Sequence, residues 1–128
     1  DKQLVHSLNL ALTTKETIST NTQKLSMHEI LTGIEQETSI NKNKLDQEIC
    51  TILKDKLRYS NNKDEHIINN IYSEEVSLMK IKNTHITINS IYEYTEFFEL
   101  LNKFNPHLFV CDFKNDDYFF LSRIKTLV

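Results

Sequence analysis

The aromatic residues divide this chain in two. All twelve, five Tyr and seven Phe, lie at or beyond Tyr59, and the first 58 residues carry none. Large rings supply much of the buried area of a small domain, so a core made by the first half has to be built from Leu and Ile. The second half carries rings enough for a core of its own. The 128 residues suit one ordinary domain, and one Gly and one Pro exclude collagen-like, linker-like and proline-rich classes.

The hydrophobic period changes along the same division. In residues 2–25, Leu4, Leu8, Ala11, Ile18 and Leu25 fall on alternating steps of four and three, with Lys15 and Thr22 in the slots between. That spacing predicts a helix with a narrow coiled-coil-type stripe. Ser26 followed by Glu29 reads as a capping box that opens a new helix through Ile30, Leu31 and Ile34, weakened by Gly33. Leu45, Ile49, Ile52, Leu53 and Leu57 restore a helical stripe, Asn61-Asn62 reads as its stop, and a shorter helix is predicted over Lys63–Tyr72.

Beyond residue 74 the alternation predicts strands over Val76–Lys82 and Thr84–Ile88. Ser90 and Glu93 form a second capping-box pattern, predicting a helix from Ser90 to Phe104 that Asn105-Pro106 ends. Strands over His107–Phe113 and Tyr118–Leu127 flank the turn Lys114–Asp117. The expected fold class is therefore α+β: a helical segment over 1–73, then a small antiparallel β-β-α-β-β module over 74–128.

Charge excludes some functions and chooses none. Residues 1–58 balance eight acids with eight bases, and the remainder carries ten acids and seven bases, for a net charge of −3. No basic stripe for nucleic acid and no basic amphipathic membrane-surface helix is present. The apolar runs, such as Leu108–Cys111, are far too short to span a bilayer. The chain begins with Asp1 rather than Met, as an excised domain would, and an upstream leader or membrane segment fits that start.

Asp112-x-Lys114 at the end of a strand has the acid-x-Lys spacing that aims both side chains at one metal in restriction-type nucleases. The preceding strand Thr84–Ile88 lacks the second acid, and the pair reads as a solvated strand end. His6, His28, His66, His85 and His107 lack metal-ligand spacing. Cys111 beside His85 or His107 has no orienting third group, as a thiol enzyme needs. Cys50 and Cys111 fit two reduced thiols or one bridge between the halves. A single glycine rules out a phosphate-cradling loop. No catalytic residue, metal or cofactor is assigned.

The stretch Thr84–Ile88, Tyr94–Phe104, Leu108–Phe113 and Tyr118–Ile124 resembles the small ferredoxin-like periplasmic modules of the inner-membrane platform of type IV pilus and type II secretion machines, the PilN, PilO and GspM group. The resemblance implies a scaffold without enzyme activity on the periplasmic face of the inner membrane, with a membrane helix upstream; outside it the expectation is cytoplasmic.

The reading from sequence is a non-enzymatic protein–protein interaction module, homo- or hetero-oligomeric, that contacts neither nucleic acid nor membrane through these residues. Leu4, Leu8, Ala11, Ile18 and Leu25 would pair with another helix. Phe119 and Phe120, consecutive and so facing opposite sides of a strand, would leave one ring for a partner at an open edge. The alternative is a small toxin, immunity or phage-type protein: a stoichiometric inhibitor, or a nuclease acting through the Asp112/Lys114 region.

Overall fold

The structure is a computed structural model and describes residues 4–21, 25–37, 39–105 and 107–123. Its strands are β1 (His6–Leu12), β2 (Tyr59–Asn62), β3 (Glu65–Asn70), β4 (Glu75–Ile81), β5 (Ile86–Ser90), β6 (Leu108–Asp112) and β7 (Asp117–Phe120). The helices are α1 (Lys15–Asn21), α2 (Met27–Glu37), α3 (Lys42–Leu53) and α4 (Glu96–Phe104), and a 3₁₀ turn covers Leu121–Arg123. The strands form one seven-stranded sheet in the order β2-β3-β4-β5-β1-β6-β7, every adjacent pair antiparallel.

This corrects the expected architecture of N-terminal helices followed by a small ferredoxin-like module. Residues 6–12 are a central strand. Leu8, Leu10 and Leu12 alternate with Ser7 and Asn9, and that period-2 signal prevails over the four-three spacing of Leu4, Leu8 and Ala11. β1 pairs with β5 (Leu8 opposite Ile88) and with β6 (Leu10 opposite Val110). Burial on both faces there repays the ordering of the strand. The coiled-coil stripe accordingly does not form, and α1 spans only seven residues.

The helix expected over Lys63–Tyr72 is likewise strand β3. Asn62 pairs with Glu65 across a two-residue turn, with Lys63 in the left-handed region at φ 59°. The predicted strands at 76–82 and 84–88 correspond to β4 and β5. The Ser26–Glu29 capping box is present: Glu29 N donates to Ser26 Oγ at 3.3 Å, and Ser26 N donates to Glu29 Oε1 at 3.3 Å. Ser90 does not cap α4. It continues the inward alternation of Ile86 and Ile88 as the last residue of β5, its hydroxyl donating to the Tyr92 carbonyl at 2.6 Å.

The sheet buries both sides. On one face Leu8, Leu10, Ile88 and Val110 pack under Ile49 and Leu53 of α3 and Phe97, Phe98 and Leu101 of α4. On the other, Ala11, Phe109 and Cys111 meet Ile30, Leu31 and Ile34 of α2. Phe119 joins the first layer and Phe120 the second, so the strand's opposed rings are both covered from within the chain. Farther along the second face, Ile67, Val76 and Leu78 are half-buried, and Asn69, Lys80 and Asn89 exposed.

Leu10 is fully buried in the strand that joins the two wings of the sheet. Leu10→Ala is expected to cost about 2–5 kcal/mol in urea unfolding, whereas Ile52→Ala, on the exposed side of α3, should stay within about 0.5 kcal/mol.

Candidate functional site

Because all the strands alternate in direction, one end of the sheet gathers the starts of β1, β2, β4 and β7 and the ends of β3, β5 and β6. The segments meeting there are 54–58, 71–74, 91–95, 113–116 and the approach to β1. Among the described residues, nine large apolar side chains are exposed. Leu4, Val5, Leu57, Ile71, Tyr72, Tyr92 and Tyr94 are at this end, and only Leu25 and Ile52 lie elsewhere. Ile71 is 77% and Tyr72 94% exposed. Exposed apolar residues that gather rather than scatter make this end a candidate contact surface.

The end is braced by polar contacts. Asn70 Oδ1 accepts from the backbone N–H groups of Tyr72 (3.0 Å) and Ser73 (3.3 Å), fixing the β3–β4 turn, and Glu74 completes it at φ 61°. The Tyr92 hydroxyl donates to the Ser73 carbonyl at 3.1 Å, which ties the β5–α4 loop to that turn. Arg58 Nε donates to both Glu96 oxygens at 2.9 and 2.8 Å, anchoring the loop that carries Leu57 to the start of α4. Glu96 N in turn donates to Glu75 Oε2 at 3.0 Å. Tyr94 packs its ring edge-to-face on Phe119 at 5.9 Å. The apolar groups are thus presented on loops whose backbones are held.

Asp112 is at the same end and is fully buried, which corrects the reading of a solvated strand end. Its Oδ2 lies 3.2 Å from His6 Nδ1 and accepts from Asn115 Nδ2 at 2.9 Å, and its Oδ1 accepts from Asn115 N at 3.3 Å. Burial pushes the carboxyl up, but the hydrogen bonds from Asn115 and His6 outweigh it and hold Asp112 below the usual carboxylate value. Lys114 is exposed in the following turn. Among the described residues, no group of three or more His, Cys, Asp or Glu side chains is placed to hold a metal ion. Nearby, the hydrogen-bonded Asp117 carboxyl raises Glu93 above its ordinary value.

A second network lies inside the β2–β3 edge. His66, fully buried on β3, donates through Nε2 to Asp46 Oδ1 at 2.7 Å and accepts through Nδ1 from the Tyr59 hydroxyl at 2.7 Å. Cys50 Sγ sits 3.2 Å from that hydroxyl, and Lys42 Nζ is 2.6 Å from Asp46 Oδ2. Burial and the Cys50 contact push the Tyr59 phenol well up, so it stays protonated. The residue types suggest a thiol catalyst, but the thiol meets a phenol and the imidazole is engaged on both sides. The network satisfies buried polar groups where α3 crosses the sheet. Neither thiol is in a disulfide: Cys50 is on α3, and Cys111 faces the opposite layer under α2.

The residues singled out from sequence are not brought together. Leu4 is exposed beside the apolar end, and Leu8 and Ala11 are buried on opposite faces of β1. Ile18 packs partly against the second core, Leu25 is exposed between α1 and α2, and Phe119 and Phe120 are in the core. Leu57, Ile71, Tyr72, Tyr92 and Tyr94 were missed. Reading 65–70 as a strand would have exposed Ile71 and Tyr72 as apolar residues in a turn. Among the described residues, no helix is long and apolar enough to cross a membrane.

A family model described as sporulation inhibitor of replication protein SirA matches residues 10–125. No match is found among curated proteins. The match overturns the resemblance to pilus and secretion platform proteins, together with the coiled coil it suited. That resemblance rested on a hydrophobic pattern common to any small antiparallel sheet crossed by one helix.

Two outcomes test the networks. His66→Ala removes the buried bridge between Asp46 and Tyr59 and is expected to cost about 1–3 kcal/mol in urea unfolding. The lowered Asp112 pKa contributes stability that is complete above the ordinary carboxylate value, about pH 4, and is lost as pH falls through the folded value. Asn115→Ala should therefore flatten the acid limb of a stability-against-pH curve below about pH 4, leaving the neutral limb parallel to wild type.

Proposed function

Since the chain belongs to the family of the sporulation inhibitor of replication protein SirA over residues 10–125, we propose that it stops replication by occupancy, binding a protein of the replication machinery one-to-one through the apolar end of its sheet. The family is one of small protein inhibitors of replication. The observation that carries the proposal is the gathering of Leu57, Ile71, Tyr72, Tyr92 and Tyr94 on braced loops at one end.

Three features support inhibition by binding. Rigid loops lose little freedom on association, so the apolar area they cover is retained as affinity. Exposed tyrosines combine a large apolar body with a polar tip, the composition of interface hot spots. The polar networks, in contrast, are turned inward: His66 and Asp112 are fully buried, with their partners spent within the chain. A stoichiometric inhibitor is also the alternative to a scaffolding module that the sequence offers.

The test is induced expression in a sporulating host, with the ratio of origin to terminus DNA as readout. The wild-type chain should drive that ratio down. Tyr72→Glu places a charge at the centre of the contact face and should cost about 2 kcal/mol of binding, roughly thirtyfold in affinity, while thermal unfolding is unchanged. Ile52→Glu, on the exposed flank of α3 away from that end, should inhibit as wild type does. Full inhibition by both Tyr72→Glu and Leu57→Glu would remove this end from the mechanism.

A further inference from the structure

The polar network between α3 and the β2–β3 hairpin has one open end. Cys50 is half-buried and lines a groove of about 480 Å³, together with Gln47 of α3 and Asn61, Lys63 and Asp64 of the hairpin. Behind the sulfur the direction of each hydrogen bond is set. Asp46, ion-paired with Lys42 at 2.6 Å, only accepts. His66 therefore donates to it through Nε2 at 2.7 Å and keeps a lone pair at Nδ1. Tyr59 gives its proton to that lone pair at 2.7 Å, and its oxygen meets Cys50 Sγ at 3.2 Å with lone pairs alone. The thiol is left as the donor, with an imidazole base two hydrogen bonds behind it.

We propose that Cys50 is a thiol-modification site, which takes up a mixed disulfide from the disulfide of a small peptide-like thiol. The Cys50 sulfur attacks one sulfur of that disulfide as its proton passes to the Tyr59 oxygen and the Tyr59 proton passes to His66 Nδ1. One S–S bond forms and the other breaks. The proton returns along the same chain to the departing thiolate, so the disulfide is the only oxidant consumed. No turnover follows, because the product stays on the sulfur. The groove has the volume of a small-ligand site, with amide groups on Gln47 and Asn61 for a peptide backbone and one charge of each sign on Lys63 and Asp64 for its termini. Cys111, fully buried in the second core, is closed to the same reaction. Cys50 also holds both sides of the segment 54–58: its carbonyl accepts from Lys54 N at 2.8 Å, and its sulfur contacts Tyr59, where β2 begins. A mixed disulfide removes the S–H donor and loosens the far side of the segment that carries the exposed Leu57.

The test exposes the native full chain to oxidised glutathione and follows each cysteine by mass spectrometry. Cys50 should gain one glutathionyl group while Cys111 stays unmodified, and trypsin should then cut after Lys54, Lys56 or Arg58 several-fold faster. Tyr59→Phe keeps the ring and removes the proton acceptor, so Cys50 in that variant should react at least about tenfold more slowly. Cys111 reports opening of the fold in the same molecule, since a chain that is merely loosened exposes both thiols and reacts faster at each. Equal rates at the two cysteines of the wild-type chain overturn the site. A Cys50 rate in Tyr59→Phe equal to or above that of wild type overturns the relay. Measured against an unstructured cysteine peptide, Cys50 should favour oxidised glutathione over the uncharged hydroxyethyl disulfide; absence of that preference overturns the groove as the seat of the adduct.

Discussion

The pairing of β1 between β5 and β6 holds the rest of the structure in place. Leu8 and Leu10 meet Ile88 and Ile86 on one side, and Leu10 meets Val110 on the other. Without this strand the sheet would separate into β2–β5 and the β6–β7 hairpin. The pairings join residues about eighty to one hundred apart in the chain, so the closure entropy is borne before the burial rewards it. What makes the closure stable is burial of β1 on both faces, under α3 and α4 on one side and α2 on the other.

From that constraint the functional surface follows. An all-antiparallel sheet returns every second connection to the same end, so segments as distant as 54–58, 71–74, 91–95 and 113–116 become neighbours. A helix that closes the first face also braces this end, through Arg58 to Glu96 at the start of α4. The polar residues most suggestive of catalysis serve rigidity, while the chemistry of contact is left to tyrosines and aliphatics in turns. The proposed inhibition by occupancy would draw on that division, because a contact face that had to be ordered on binding would lose affinity to entropy.

The helices α2 and α3 and the strands β4, β5 and β6 were legible in sequence, and β1 and β3 were not. β4, β5, β6 and the Ser26–Glu29 cap are local signals, and local physics decides them. β1 is decided by neighbours far along the chain: Leu4, Leu8 and Ala11 satisfy a helical spacing as well as Leu8, Leu10 and Leu12 satisfy an alternating one, and only the two-sided burial between β5 and β6 selects the strand. β3 failed differently, because Ile67, Ile68 and Ile71 mimic a helical stripe while Ile67 actually faces the second side of the sheet. The contact surface was hidden for the same reason. Its members are unremarkable in their own segments, and only the topology sets them side by side. The buried state of Asp112 was equally invisible, since His6 lies 106 positions away.

The hairpin turns carry a final consequence. Lys63, Glu74 and Asp116 all adopt left-handed backbone, and none of them is glycine. Residues with a Cβ resist that region by about 1 kcal/mol or more each, so these turns do not fold the hairpins; the sheet imposes the turns. Cause runs from the whole to the part, and a peptide cut to any one hairpin would lose the shape it has here. The loops that display Tyr72 and flank Glu93 therefore share the fate of the entire sheet. Damage anywhere in β1 would therefore take the arrangement of these loops with it as a whole rather than loosen it by degrees.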